Sequence, residues 1–92
     1  MDYEWDPRKA AANRRKHGVA FSIIENFDWD TALVVSDDRR DYGEPRWLAL
    51  GMIGHRLYSL AFTIRDDRIR LISLRAASRT ERTLYREQSE QD

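Results

Sequence analysis

The sequence predicts a small α+β fold: a four-stranded antiparallel sheet with two helices before it and one after it. Three patterns indicate this. Helix start and stop signals lie in the first part of the chain, four strand-like segments follow, and a capping-box motif opens the last segment. Because 92 residues suffice for one hydrophobic core but not for two, we expect a single domain over residues 1–92.

The first helix is marked at both ends. Asp6 is a typical capping residue, Pro7 suits the first helical turn, and Gly18 is typical of the position just after a helix. Residues 3–5, which precede this helix, are expected to form a short extra strand.

Two capping-box motifs mark the other helices, and they are the pairs Ser22/Glu25 and Ser78/Glu81. The first pair predicts a short second helix over residues 22–27. The second pair predicts a C-terminal helix that runs through about residue 87 and is followed by an acidic tail.

The predicted strands are rich in β-branched and apolar residues, and they cover residues 31–36, 46–53, 57–65 and 68–75. Only Asp66 and Asp67 separate the last two strands, which is the length of a tight hairpin turn. Such a turn fixes the pairs that face each other: Arg65 with Arg68, Ile64 with Ile69, Thr63 with Arg70, and Phe62 with Leu71.

This register divides the hairpin between two faces. The expected core face carries Tyr58, Leu60, Phe62, Ile64, Ile69 and Leu71. The opposite face is small to polar, with helices expected only on the core side, and it carries Ser59, Ala61, Thr63, Arg65, Arg68, Arg70 and Ile72. Two interpretations of that face stay open: a binding surface for an anionic chain, or the ordinary solvated face of an antiparallel sheet.

Composition and motifs narrow the function classes. The chain has no cysteine, no metal-ligand motif, no glycine-rich phosphate loop and no G-x-S-x-G motif, so we expect neither a metal nor a cofactor. No apolar run approaches the ~18 residues of a membrane span, and the acidic start is unlike a signal peptide. A cytoplasmic protein without membrane contact is the expectation.

The zero net charge hides a segregation of charge along the chain. Basic residues gather in residues 8–16 and 65–86, whereas residues 25–45 hold seven acidic residues and only two arginines before Arg46. A locally basic surface is therefore compatible with a neutral chain.

One face of the first helix combines cations with an imidazole. Lys9, Asn13, Lys16 and His17 share this face by their spacing of four, seven and eight residues. Such a group suits phosphate contact and proton transfer. The alternative is that Lys16 and His17 merely complement the dipole at the helix end. The other histidine, His55, follows Gly54 between two strands and is expected in a turn.

A second group of candidates lies where the last strand meets the last helix. Ser78, Arg79 and the free amides of the first helical turn could bind an anion, and Arg75 lies just before them. For Glu81 we favour a structural role in the capping box. Tyr85 fits a residue that packs on the sheet better than one that stacks on a base.

Read together, the segments resemble the BrnT family of toxins from type II toxin–antitoxin modules. The resemblance covers nearly the whole chain and rests on Glu4-Trp5-Asp6-Pro7-Arg8-Lys9-Ala10, Asn13, Lys16-His17-Gly18-Val19, Phe21, Phe27, Glu44, Arg46, Gly51, the run 68–73 (Arg-Ile-Arg-Leu-Ile-Ser), Arg75, Ala77, Arg79, Glu81-Arg82 and Tyr85. It departs over residues 73–78, where one of two neighbouring arginines usual in the family is missing.

The resemblance implies a RelE-like fold and an endoribonuclease that cuts RNA, inhibits translation and arrests growth. It implies an RNA substrate and a cognate BrnA-like antitoxin that neutralises the toxin in a hetero-oligomer. Contact with DNA would be indirect, through the antitoxin in a complex that represses its own operon. Related folds cut RNA without a metal, by attack of the 2′-hydroxyl on the neighbouring phosphate.

On this basis the expected catalytic residues are Lys16, His17, Arg65, Arg75 and Arg79. The expected substrate-binding residues are Trp5, Lys9, Arg68, Arg70 and Tyr85, with Trp5 or Tyr85 stacking on a base. Two rivals remain: a non-enzymatic module whose arginine face holds the antitoxin, and a toxin that has lost its activity.

Overall fold

The computed structural model describes residues 1–90 and has the α+β architecture that the sequence predicts. Its elements in chain order are β1 (Tyr3–Glu4), α1 (Pro7–His17), a 3-10 helix (Phe21–Asn26), β2 (Leu33–Ser36), β3 (Trp47–Ile53), β4 (Arg56–Arg65), β5 (Arg68–Ala76) and α2 (Arg79–Ser89). The end of the predicted acidic tail, residues 91–92, lies outside the described residues. No helix within residues 1–90 is long and apolar enough to cross a membrane.

The sheet has five strands in the order β1-β5-β4-β3-β2. The prediction of a four-stranded antiparallel sheet is therefore incomplete. The short N-terminal strand exists and pairs in parallel with β5, where Tyr3 lies opposite Ile69 and Glu4 opposite Arg70. The amide of Ile69 also donates to the carbonyl of Asp2 at 2.9 Å. Such a short strand is held by its neighbour in space, which local sequence does not reveal.

The predicted ends of α1 are confirmed. The carboxylate of Asp6 accepts the amide of Arg8 at 2.8 Å, and Pro7 opens the helix. Gly18 has a left-handed backbone with φ 71° and donates its amide to the carbonyl of Arg14. Proline and glycine thus sit where their backbone preferences favour a start and a stop.

The second predicted helix is a 3-10 helix, and its predicted capping box is wrong. The helix begins at Phe21 after Ala20, which makes no side-chain cap. Phe21, Ile24 and Phe27 are all buried. A 3-10 helix has about three residues per turn, so side chains three residues apart lie on one side of it. Burial of this apolar row, rather than capping by Ser22, sets the local structure.

The hairpin between β4 and β5 turns at Asp66 and Asp67, as predicted. Both residues have a left-handed backbone, with φ 51° and 63°, and aspartate tolerates that conformation better than most residues. The four predicted pairs across the turn are confirmed.

A β-bulge then changes the register, because Ser73 and not Ile72 lies opposite Ala61. Ile72 is therefore the extra residue of the bulge and has no partner of its own on β4. An extra residue in one strand shifts every later side chain by one position. As a result Leu74 enters the core opposite Leu60, and Arg75 lies opposite Ser59 on the other face.

The main core lies between one face of the sheet and the segments before β2. It consists of Phe21, Ile24, Phe27, Ala49, Leu60, Phe62, Ile69, Leu71 and Leu74. Tyr58 packs against this cluster while partly buried. Ile64, predicted in the core, is 52% exposed, because it lies near the hairpin tip.

The opposite face is only partly solvated, so the expectation of helices on a single face was also wrong. A smaller cluster of Leu50, Leu57 and Ala77 is buried there, and Tyr85 of α2 packs against it. Thr63 is 2% exposed and donates its hydroxyl to the carbonyl of Pro45 at 2.6 Å. The loop before β3 and helix α2 thus each contact this face.

The side chain of Asn13 fixes α1 to the free edge of β5. Its amide nitrogen donates to the carbonyl of Leu74 at 2.7 Å, and its oxygen accepts the Leu74 amide at 3.0 Å. The same nitrogen donates to the carbonyl of Val19 at 3.0 Å. Asn13 therefore takes the place of a neighbouring strand where β1 has already ended, and it orients the helix face that it shares with Lys9, Lys16 and His17.

Candidate active site

The cationic face of α1 lies against the bulge of β5. Lys9, Lys16 and His17 line a pocket of about 240 Å³ together with Ile72 and Ser73. The pocket follows from two local features: the helical spacing that puts these side chains on the Asn13 side, and the bulge that changes the direction of the β5 side chains. The structure thus brings together Lys9, Lys16 and His17, which the helical spacing in the sequence had placed on one face. We call this the α1–β5 pocket.

His17 is the imidazole of this pocket, the side chain type whose ordinary pKa lies closest to neutral pH. Burial lowers the pKa of its imidazole below the ordinary value of 6.5, and the positive charges of Lys16 and Arg75 lower it further. Neutral imidazole therefore predominates at pH 7, and a neutral ring can accept a proton. The influence of Arg75 also shows that the end of α1 lies within electrostatic range of β5.

Arg75 is held by Glu81 in a two-pronged ion pair. Its Nη1 and Nη2 donate to Oε1 and Oε2 of Glu81 at 2.7 and 2.9 Å. The pair lowers the pKa of Glu81 to about 2 and raises that of Arg75. Hydrogen bonding by the guanidinium to the charged carboxylate is the main cause.

Glu81 also completes the predicted capping box at the start of α2. Its carboxylate accepts the amide of Ser78 at 2.8 Å, and its own amide donates to the Ser78 hydroxyl at 3.1 Å. The expected structural role of Glu81 is confirmed. This internal carboxylate already accepts the Ser78 amide, one of the groups expected to bind an external anion. Anion binding at Ser78 and Arg79 stays a prediction.

Two other candidate arginines are also paired with carboxylates. Arg65 contacts Glu44 at 3.1 Å, and Arg70 contacts Glu4 at 3.0 Å. These pairs connect β4 to the loop before β3 and β5 to β1. In contrast, within residues 1–90 no ion pair is formed by four of the candidates: Lys9, Lys16, Arg68 and Arg79.

The two aromatic candidates lie apart from the α1–β5 pocket and do not line it. Trp5 packs edge-on against Phe21, with ring centroids 5.9 Å apart. Tyr85 packs on the smaller cluster, and its hydroxyl donates to Thr31 Oγ1 at 3.4 Å. Both side chains are half-buried, and packing explains their positions.

The organisation of the loop between β2 and β3 was not predicted from the sequence. Asp37 is 6% exposed there and accepts Nε and Nη2 of Arg39 at 2.8 and 3.0 Å, together with the hydroxyl of Tyr42. These bonds lower the pKa of Asp37 to about 2. Repulsion by the positive charge of Arg39 slightly lowers the pKa of Arg75, so Arg39 is a further cation near that residue. The sequence does contain one signal for this loop, because an aspartate often accepts the backbone amide two residues later, as Asp37 accepts that of Arg39.

His55 lies in the turn between β3 and β4, as expected, and is exposed. Within residues 1–90 no three histidine, aspartate or glutamate side chains converge as metal ligands would.

Comparison with known proteins identifies the family of this chain. A family model described as the ribonuclease toxin BrnT of a type II toxin–antitoxin system matches residues 5–81. The comparison with individually curated proteins gave no match. The matched region includes α1, the whole sheet from β2 to β5, and the start of α2 with Glu81. This chain of 92 residues therefore belongs to the BrnT family of ribonuclease toxins from type II toxin–antitoxin systems.

Proposed function

We propose that this toxin cuts RNA without a metal ion, by attack of a ribose 2′-hydroxyl on the adjacent phosphorus at the α1–β5 pocket. One observation carries the proposal: His17, with its lowered pKa, lies in the field of Lys16 and Arg75. A neutral base next to cations is what this reaction needs, because a proton leaves the nucleophile while negative charge grows on the phosphate.

In the proposed reaction His17 accepts the proton of the 2′-hydroxyl, and the 2′-oxygen forms a bond to phosphorus. The bond from phosphorus to the 5′-oxygen of the next nucleotide breaks, and that oxygen takes up a proton from water, to which His17 then releases the proton that it accepted. The products are a 2′,3′-cyclic phosphate and a 5′-hydroxyl, so atoms and charge balance without a co-reactant. Lys16 and Arg75 stabilise the charge on the phosphate oxygens in the transition state.

Arg75 can contact a phosphate while it stays paired with Glu81. A guanidinium has five N–H donors. Glu81 takes two of them, and the carbonyl of Ala76 takes one at 3.3 Å. The ion pair therefore holds the guanidinium in place and leaves donors for the substrate.

The other candidates bind RNA in this proposal rather than act on it. Lys9, Arg68 and Arg79 are exposed cations suited to backbone phosphates. Arg65 and Arg70 would first have to exchange a carboxylate for a phosphate. We also propose that an RNA base stacks on Trp5 or Tyr85, and because both side chains are half-buried, only the exposed part of each ring would be in contact with it.

Membership in a type II system implies an antitoxin partner. We further propose that this partner is a BrnA-like protein, that it forms a hetero-oligomer with the toxin, and that contact with DNA occurs through the antitoxin. The cytoplasm is the proposed location, because the RNA substrate and the antitoxin meet there.

The two histidines give a matched test of the base. We expect His17→Ala to slow RNA cleavage by about 100-fold or more, the usual contribution of a general base, whereas His55→Ala cleaves like the wild type. In the wild type, cleavage should rise with pH through an inflection below 6.5, and His17→Ala should lose that inflection. Equal rates for the two variants would refute the assignment of His17.

Arg75 is tested against another arginine of the sheet. We expect Arg75→Gln to lower the cleavage rate by about 100-fold, as for loss of one transition-state donor. Arg56→Gln, at the exposed start of β4, controls for the loss of a positive charge. A folded Arg75→Gln variant that cleaves RNA and arrests growth at the wild-type rate would exclude Arg75 from the site.

A non-enzymatic binding module is the second candidate, and one observation favours it. Three of the candidate arginines, Arg65, Arg70 and Arg75, already hold carboxylates, as in a surface that recognises an acidic protein segment. Intact RNA after prolonged incubation, together with tight antitoxin binding, would favour this module over the nuclease.

A further inference from the structure

Strand β2 forms an open edge of the sheet. It is the last strand in the order β1-β5-β4-β3-β2, so only β3 pairs with it. Its two central residues are unusually exposed for large apolar side chains, with Val34 at 44% and Val35 at 50%. Successive strand residues point to opposite faces, so apolar surface is available on both sides of this edge.

The backbone of this edge is also available. The amide of Asp37 donates to the carbonyl of Arg46 at 2.8 Å, in register with the pairing of β2 and β3. Backbone groups of an antiparallel strand alternate between its two neighbours. The groups of Leu33 and Val35 therefore point to β3, and those of Val34 and Ser36 point outward, where a further strand could pair with them.

The edge lies in the acidic part of the chain. Residues 28–41 carry five aspartates against two arginines. One of these aspartates is neutralised by Arg39, but Asp30 and Asp38 are exposed on either side of the strand. Asp30 also lines a groove of about 480 Å³ between the start of β2 and the end of α2, with Tyr85 and Gln88. A partner at this edge should thus be basic.

We propose that the antitoxin adds a strand to β2. An extended segment of the antitoxin would pair with the outward groups of Val34 and Ser36, cover Val34 and Val35 with apolar side chains, and place lysine or arginine near Asp30 and Asp38. A second copy of the toxin is disfavoured as the occupant, because two acidic edges would repel each other. This site is separate from the α1–β5 pocket and rests on family membership, not on the nuclease mechanism.

The matched test compares two exposed apolar residues on different strands, Val35 on the edge strand β2 and Ile64 on the inner strand β4. Val35→Lys and Ile64→Lys replace side chains that are 50% and 52% exposed. We expect Val35→Lys to weaken binding of the co-encoded antitoxin, measured by calorimetry with the full-length toxin, by about tenfold or more, as for a central contact residue. Ile64→Lys should change it by less than about threefold, and both variants should cleave RNA like the wild type.

A measurement on the unmodified toxin tests the strand pairing itself. In the free toxin the amides of Val34 and Ser36 should exchange rapidly with solvent, and antitoxin binding should protect both of them. Rapid exchange of both amides in the complex, or unchanged affinity of a folded Val35→Lys variant, would overturn the proposal. The proposal would also be overturned if the toxin forms a dimer and Val35→Lys dissociates this dimer without changing the affinity for the antitoxin. The edge would then bind a second copy of the toxin.

Discussion

Replacing Asn13 by alanine tests how α1 is held on the sheet. The substitution removes three hydrogen bonds, two to Leu74 and one to Val19. Leu74 is fully buried, so neither its amide nor its carbonyl can readily turn to water. The variant therefore leaves a buried donor and a buried acceptor without a partner at the edge of β5.

The magnitude follows from these groups. Each buried polar group left unpaired costs about 1–3 kcal/mol, which gives about 2–6 kcal/mol for the two groups of Leu74. We expect Asn13→Ala to lower the free energy of unfolding by about 3 kcal/mol or more, a large fraction of the stability of about 5–14 kcal/mol typical for a chain of this size. The melting temperature should fall by about 12 °C or more.

Urea and thermal unfolding followed by circular dichroism measure the effect. Asn26→Ala is the matched control, because Asn26 is exposed and its side chain makes no hydrogen bond within residues 1–90; its effect should stay below about 0.5 kcal/mol. A loss of less than about 1 kcal/mol for Asn13→Ala would refute the reasoning. It would mean that Asn13 does not replace a strand at this edge.

Two further predictions concern packing and pH. A Cβ at Gly51 would lie 2.8 Å from Cε1 of Phe27, so Gly51→Ala should cost about 1–3 kcal/mol in urea unfolding, and adding Phe27→Leu should recover part of that loss. Glu81 has a pKa of about 2 in the folded protein against an ordinary 4.5; its stabilising effect is therefore complete above pH 4.5 and is lost as the pH falls towards 2. Unfolding measured from pH 7 to pH 3 should show this loss in the wild type but not in Glu81→Gln, and identical profiles would argue against the Arg75–Glu81 pair.

Local signals in the sequence were sufficient where backbone preferences decide the structure. Asp6 and Gly18 mark the two ends of α1, the two aspartates of the hairpin turn fix four residue pairs, and Ser78 caps α2. The spacing along α1 also grouped Lys9, Lys16 and His17 correctly, because helical periodicity is a local property.

Features that depend on distant parts of the chain could not be read locally. Strand β1 exists because it meets β5, and the bulge at Ile72 arises inside an otherwise regular alternation. The 3-10 helix follows the burial of Phe21 rather than a capping motif. The carboxylates that neutralise the arginines lie up to 66 residues away, as Glu4 does from Arg70.

The chemistry of the cleaved ends tests the central claim most directly. Purified full-length toxin is incubated with RNA in excess EDTA, and the ends of the products are identified. The proposed mechanism requires 2′,3′-cyclic phosphate and 5′-hydroxyl ends from the wild type and from His55→Ala, with little product from His17→Ala. RNA that stays intact in EDTA but is cut when Mg²⁺ is restored, or products with 3′-hydroxyl and 5′-phosphate ends, would contradict metal-independent cleavage at the α1–β5 pocket.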